Sequence, residues 1–202
     1  MSEIVLFHSV LGVRPGMLAA ADRLRQAGHT VHVPDLYHGQ VFGDYPEAAA
    51  FVESDAFGGY PELLRRTAAA VDGLPPDLVY AGFSNGGGAA TYIAALRPGA
   101  RAVLSMHAAM PLAVLSEVAG RALQWPKNVP VQVHYGRDDP FRSQDSVDAF
   151  ASDVRASGSG YEYFDYPVAG HLFADPDLPS EYHEASAELM WSRALEFLRR
   201  AE

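Results

Sequence analysis

The chain contains no cysteine. Disulfide frameworks and thiolate-ligated metal sites are therefore excluded. Positive charge is also scarce: 15 Lys and Arg stand against 25 Asp and Glu, a formal net charge of −10. No long basic stretch offsets that excess, which argues against a nucleic-acid or anionic-membrane partner. No apolar run approaches the length of a membrane span. The opening Met1-Ser2-Glu3 lacks the marks of a signal peptide, so a cytoplasmic protein is expected. There is no internal repeat, no low-complexity tract and no linker long enough to separate domains. What is present is ordinary globular composition, 49% hydrophobic and 20% charged over 202 residues. That is enough for one domain with a substantial core.

Short apolar runs alternate with helix-forming stretches along the chain. Segments 4–7, 30–33, 78–81, 102–106, 131–135 and 161–166 read as strands. Helices are expected from Pro15 to the stop at Gly28 and over 61–71, 89–96, 144–156 and 181–200. Met17, Leu18, Ala21 and Leu24 form the expected apolar face of the first helix. Two irregular sections are expected, 35–59 and 107–130, the first holding a short helix between Pro46 and Ser54; such sections often wall or cover a pocket. The alternation implies a single α/β domain over 1–202, with a mostly parallel central sheet and helices on both faces. Active groups in such sheets gather at the carboxyl ends of the strands. Ser9, Ser84, His107, Asp139 and His171 all fall at such ends.

The most informative stretch is 77–96. A short apolar strand runs into Gly82-Phe83-Ser84-Asn85-Gly86-Gly87-Gly88 and then into a helix-forming segment. A Gly-x-Ser-x-Gly turn between strand and helix is the setting of a nucleophile elbow. The serine at its apex takes a strained backbone, often with positive φ. The residues two before and two after it then crowd each other, which suits Gly82 and Gly86 because neither carries a Cβ. The helix N-terminus directs unpaired N–H groups at the reaction centre. A phosphate-binding loop fits poorly, since no Lys-Ser/Thr pair follows the glycines. The structural alternative is a Gly-rich turn in which Ser84 only caps the helix.

A serine hydroxyl needs a base to take its proton, and the base needs an orienting acid. Ser84, then Asp138 or Asp139, then His171 follow the serine, acid, histidine order of α/β-hydrolases. His171 lies after the last strand and Gly170, where it can serve as general base and then general acid. The adjacent aspartates must point in different directions, so only one can meet His171. A tetrahedral oxyanion needs N–H donors placed in advance. Position nominates the backbone N–H of Asn85, just after the nucleophile, and that of Val10, in the loop after the first strand. Ser9, Leu11, Tyr37, His107 and Phe173 are candidate substrate-pocket residues, with Phe7, Phe42 and Phe57 as further apolar walls. His29 and His32 are read as surface or packing residues, not as metal ligands. No metal and no cofactor is implied.

Together these pieces resemble the dienelactone hydrolase family of the α/β-hydrolases over nearly the whole chain. Four stretches carry the likeness. They are Phe7-His8-Ser9-Val10-Leu11-Gly12-Val13, Val33-Pro34-Asp35-Leu36-Tyr37, the elbow from Gly82 to Gly87, and a final pair. That pair is His134-Tyr135-Gly136-Arg137-Asp138-Asp139-Pro140-Phe141 and Ala169-Gly170-His171-Leu172-Phe173. The resemblance implies an α/β-hydrolase fold in minimal form, and it selects Asp139, third after Gly136, as the acid. The departures bear on substrate. The best-known members of that family carry a cysteine nucleophile where Ser84 stands and a glutamate where Ser9 stands. They hold a substrate carboxylate with an arginine shortly after Gly-His-x-Phe, where this chain has Asp175. An acidic residue there would repel a carboxylate, so dienelactone itself is not the expected substrate.

The expected activity is that of a serine hydrolase cleaving a small-molecule ester, lactone or thioester through Ser84, His171 and Asp139. The chain is expected to work as a monomer or homodimer. The alternatives are a peptidase or acyltransferase on the same fold, or a non-catalytic small-molecule binder that keeps the scaffold.

Overall fold

The computed structural model describes residues 1–201. Six strands and seven helices alternate among them. The strands are β1 (Glu3–Phe7), β2 (Thr30–His32), β3 (Val79–Phe83), β4 (Ala102–Met106), β5 (Val131–Gly136) and β6 (Tyr161–Tyr166). The helices are α1 (Pro15–Gln26), α2 (Tyr45–Glu53), α3 (Gly59–Ala70), α4 (Asn85–Leu96), α5 (Leu112–Ala119), α6 (Gln144–Ala156) and α7 (Glu184–Arg200). The strands form one sheet in the order β2-β1-β3-β4-β5-β6. Every neighbouring pair is parallel, so the sheet is wholly and not just mostly so.

The burial pattern explains the strand composition. Every residue of β3, β4 and β5 is buried, as expected for parallel strands covered on both faces. The edges differ: β2 has three residues, and β6 is partly exposed along Tyr-Glu-Tyr-Phe-Asp. Short or charged edges discourage pairing with another chain. Helices α1 and α7 pack together on one face, where Arg23 meets Glu188 and stacks on Trp191. Helices α3, α4 and α5 pack together on the other. The central helix α4 is buried from Gly86 to Ala94. Its run of Gly86, Gly87, Ala89 and Ala90 lets the backbone approach the sheet, because a Cβ on Gly86 would collide with the Phe7 carbonyl.

The strand order reverses between β1 and β3. The chain moves outward from β1 to β2, then returns to place β3 on the other side of β1. Loops leaving two such strands diverge to opposite faces and open a crevice at their carboxyl ends. The loop after β1 carries Val10, and the turn after β3 carries Ser84.

Two details of the sequence reading change. Leu18 is 48% exposed, and the buried face of α1 is Met17, Ala20, Ala21 and Leu24. Residue 18 lies about 100° around the helix from 17, off the stripe. The second irregular section contains α5, whose eight residues are too few for a clear periodic signal; Gly120, at φ 61°, ends it. In the first section α2 starts where its signals predict: Asp44 caps the helix by accepting the Glu47 N–H at 2.8 Å, and Pro46 sits in the first turn. His29 is buried and accepts the Ser2 N–H, while His32 pairs with Glu3, both structural contacts. No helix among the described residues is long and apolar enough to cross a membrane.

Candidate active site

The elbow has the geometry its glycines demand. Ser84 stands at φ 53° and ψ −119°, and α4 begins at the next residue. A Cβ on Gly82 would collide with the backbone of Gly86, so both positions need a residue without one. The Ser84 N–H donates to the Met106 carbonyl at 2.8 Å, tying the apex to the tip of β4. Its carbonyl accepts the Gly87 N–H at 2.8 Å, which opens the helix. The hydroxyl is left free of any capping bond and faces the crevice.

His171 bridges serine and acid. Its Nε2 lies 2.8 Å from Ser84 Oγ, and its Nδ1 lies 2.7 Å from Asp139 Oδ2. Asp139 is buried, and its other oxygen accepts the Phe141 N–H at 2.8 Å. A carboxylate only accepts, so Nδ1 carries the hydrogen and Nε2 accepts from the serine hydroxyl. Asp138 points outward and is exposed, so Asp139 alone of the pair reaches the histidine. Asp139 thus also holds its own loop, through the Phe141 N–H. Around His171 stand Tyr45 and Phe141, with ring centroids at 5.6 and 4.7 Å, and His107 at 6.0 Å.

The loop after β1 is folded by His8 and Ser9. His8 is buried, donates from Nδ1 to the Ser9 carbonyl at 2.7 Å and accepts the Leu36 N–H on Nε2 at 3.1 Å. Ser9 Oγ accepts the Leu11 N–H, and the Ser9 carbonyl accepts the Gly12 N–H. Among the described residues, the Val10 and Asn85 N–H groups have no acceptor within the chain. Both residues line the same cavity as Ser84.

That cavity has a volume of about 260 Å³. Besides Ser84, Asn85, His171 and Val10, its wall includes Tyr45, Tyr60, His107, Met110 and Phe141. Of the five candidate pocket residues, only His107 lines it. Leu11, Tyr37 and Phe173 are fully buried in the core, and Ser9 faces a small separate space beside Gly16 and Asp175. Tyr37 instead packs edge-on against His8, Phe42, Phe51 and Phe57. Its hydroxyl, pushed above the usual range by burial, faces the Asn85 amide without a bond of regular geometry. The Val33-Pro34-Asp35-Leu36-Tyr37 stretch is thus a packing unit, with Asp35 accepting the Tyr37 N–H at 2.8 Å. Asp175 is off the cavity too. It accepts the Asp177 N–H and lies against Gly16 at the start of α1, so it cannot repel a bound carboxylate by contact.

Three histidines near the strand tips are held neutral. Burial lowers His8 and takes His107 well below its ordinary value. Burial also lowers His134 to about 3. His107 has φ 61°, and neither of its ring nitrogens finds a partner. His134 is satisfied on both sides, by the Tyr166 hydroxyl and by Gln132 Oε1, each at 2.8 Å.

The sequence model of the dienelactone hydrolase family matches residues 1–202. The chain belongs to this family. Among curated relatives, a carboxymethylenebutenolidase of Rhodococcus opacus is 28% identical over 211 residues, covering 98% of this chain and 80% of that one. An uncharacterised Caenorhabditis elegans protein is 35% identical over 109 residues, 51% of this chain and 66% of its own length. Among solved structures, a dienelactone hydrolase-like promiscuous phosphotriesterase from metagenomic libraries superposes with a TM-score of 0.77 at 20% identity. It is covered over 87% of its length by the whole of this chain.

Within this member of the dienelactone hydrolase family, two residues at the site escape sequence reasoning. Tyr45 donates to both oxygens of Glu181, at 2.8 and 2.9 Å. Glu181 accepts the backbone N–H of Leu172, the residue after His171, at 2.7 Å. The pair is separated by 136 positions, and no local pattern marks either residue.

Proposed function

We propose that the chain is a serine hydrolase that cleaves a small-molecule ester, lactone or thioester, with Ser84 as nucleophile. The observation that carries this reading is the unbroken line Ser84 Oγ, His171 Nε2, His171 Nδ1, Asp139 Oδ2, with both hydrogen bonds under 3 Å. Family membership and the carboxymethylenebutenolidase relative support hydrolytic chemistry.

In this reading each proton has a donor and an acceptor. Ser84 Oγ attacks the carbonyl carbon while its hydrogen passes to His171 Nε2. The imidazolium is stabilised by the buried Asp139 carboxylate, which also keeps the hydrogen on Nδ1. The carbonyl oxygen becomes an oxyanion facing the N–H groups of Asn85 and Val10. When the intermediate collapses, the leaving alkoxide or thiolate takes the proton from Nε2. Water then repeats the sequence against the acyl-enzyme and releases the acid. The exposed dipole of the α4 N-terminus favours negative charge at the same point.

The test is turnover of a short p-nitrophenyl ester by the wild type and by Ser84→Ala, with fluorophosphonate labelling alongside. Loss of both turnover and labelling in the variant is expected. Undiminished turnover by Ser84→Ala would overturn the reading. Assaying matched amides separates an esterase from a peptidase.

A further inference from the structure

Resting on the hydrolase reading above, we infer that the natural substrate is an uncharged ester, lactone or thioester with no carboxylate or phosphate on its acyl portion. The cavity beside Ser84 contains no Lys, Arg, Asp or Glu among its lining residues. Its wall includes Val10, Tyr45, Ala49, Met110 and Phe141. His107 is the one further ring with nitrogen atoms, and its burial keeps it uncharged at neutral pH.

The cations of the neighbourhood are committed elsewhere. Arg142 precedes cavity-lining Ser143, yet its guanidinium is bonded to the Tyr163 hydroxyl, the Arg137 carbonyl and the Gln144 side chain. Arg14 is held by Asp177 and the Phe42 carbonyl. Arg66 is held by Glu62 and the Leu36 carbonyl. Behind the wall the fixed charges are negative: Asp139 lies behind His171, and Glu181 lies behind Tyr45. An anionic acyl group entering here would lose its water, gain no counter-ion and face two carboxylates.

The dimensions agree. About 260 Å³ is small for a ligand pocket and suits a compact acyl group. At the mouth, Phe141 and Tyr60 are 56% and 41% exposed. They offer apolar flanks to an alkyl or aryl leaving group. The carboxylate-bearing lactone expected of the family's best-known members therefore lacks its recognition element in this chain, and the reason is the missing cation, not Asp175.

The experiment compares two p-nitrophenyl esters matched in length and leaving group, the hexanoate and the hydrogen adipate. The wild type should show kcat/KM lower by about 100-fold for the charged ester. Met110→Arg, which puts a guanidinium on the wall, should narrow that ratio by about 10-fold; Ala49→Lys is a second such variant. Equal kcat/KM for the two esters in the wild type would overturn the inference while leaving the hydrolase reading intact. Failure to turn over either ester, with no fluorophosphonate labelling of Ser84, would overturn both.

Discussion

The Tyr45 hydroxyl donates to Glu181, and the same carboxylate accepts the N–H of Leu172 beside His171. A helix from the segment between β2 and β3 is thereby joined to the loop that carries His171. The Tyr45 ring also lies against His171 itself, so hydroxyl and ring act on the same loop from one side chain.

Removing that hydroxyl should disturb positioning more than binding. Tyr45→Phe is expected to lower kcat by about 3- to 10-fold with little change in KM, since small misplacements of a base are costly. Glu181→Ala should cost more. Glu181→Gln keeps an acceptor for both donors and should stay near wild type. Steady-state kinetics of the three variants decide it; a Tyr45→Phe variant altered only in KM would assign Tyr45 to substrate contact.

The two adjacent aspartates should behave as opposites. Asp139→Asn removes the anion that fixes Nδ1–H, and kcat is expected to fall by about 10³- to 10⁴-fold. Asp138→Asn, at an exposed position, should leave kcat within about twofold. A larger effect at 138 than at 139 would reverse the assignment of the acid.

Ser84 should be a site where activity and stability conflict. Its φ of 53° with ψ of −119° strains any residue bearing a Cβ, and glycine tolerates it. Both Ser84→Gly and Ser84→Ala should be inactive. Ser84→Gly is expected to be the more stable by about 1 kcal/mol, or about 2–4 °C in Tm. Thermal unfolding of the two variants side by side isolates the backbone effect.

The buried histidines predict an acid-sensitive fold. In the unfolded chain each protonates below about pH 6.5. His134 stays neutral in the fold down to about 3, so between those values the unfolded chain binds more protons. Stability is therefore full above about pH 6.5 and lost as pH falls, by about 1.4 kcal/mol per pH unit for each such histidine. His107 and His8 shift in the same direction. Urea unfolding from pH 7 to pH 4.5 measures the slope, and His134→Gln should reduce it by about one histidine's share whatever its absolute stability.

What could be read from the sequence was local. The spans of β4, β6 and α6 follow from an apolar-rich segment, an aromatic-rich segment and clear helical periodicity, and the elbow from glycines whose need is steric. The order serine, aspartate, histidine is a property of the chain. The direction in which a loop side chain points is not. Tyr37 and Phe173 are aromatic residues near strand ends, and nothing local says that they turn into the core while Tyr45 and Phe141 turn to the cavity. Asp175 misled for the same reason: its place in the chain matches a ligand position, but its side chain lies over α1. Glu181 is legible only once Tyr45 and Leu172 are brought to it.

The cavity wall and the Ser84–His171–Asp139 line come from different segments. Ser84, Asp139 and His171 stand on turns anchored to the tips of β3, β5 and β6, whereas the rest of the cavity wall is drawn largely from α2 and the stretches near 108–110 and 141–146. Substitutions at Ala49, Tyr60 and Met110 can accumulate without touching the contacts that join Ser84, His171 and Asp139. For directed evolution this makes positions 49, 60 and 110 the library, and the strand tips, with Tyr45 and Phe141, the chassis.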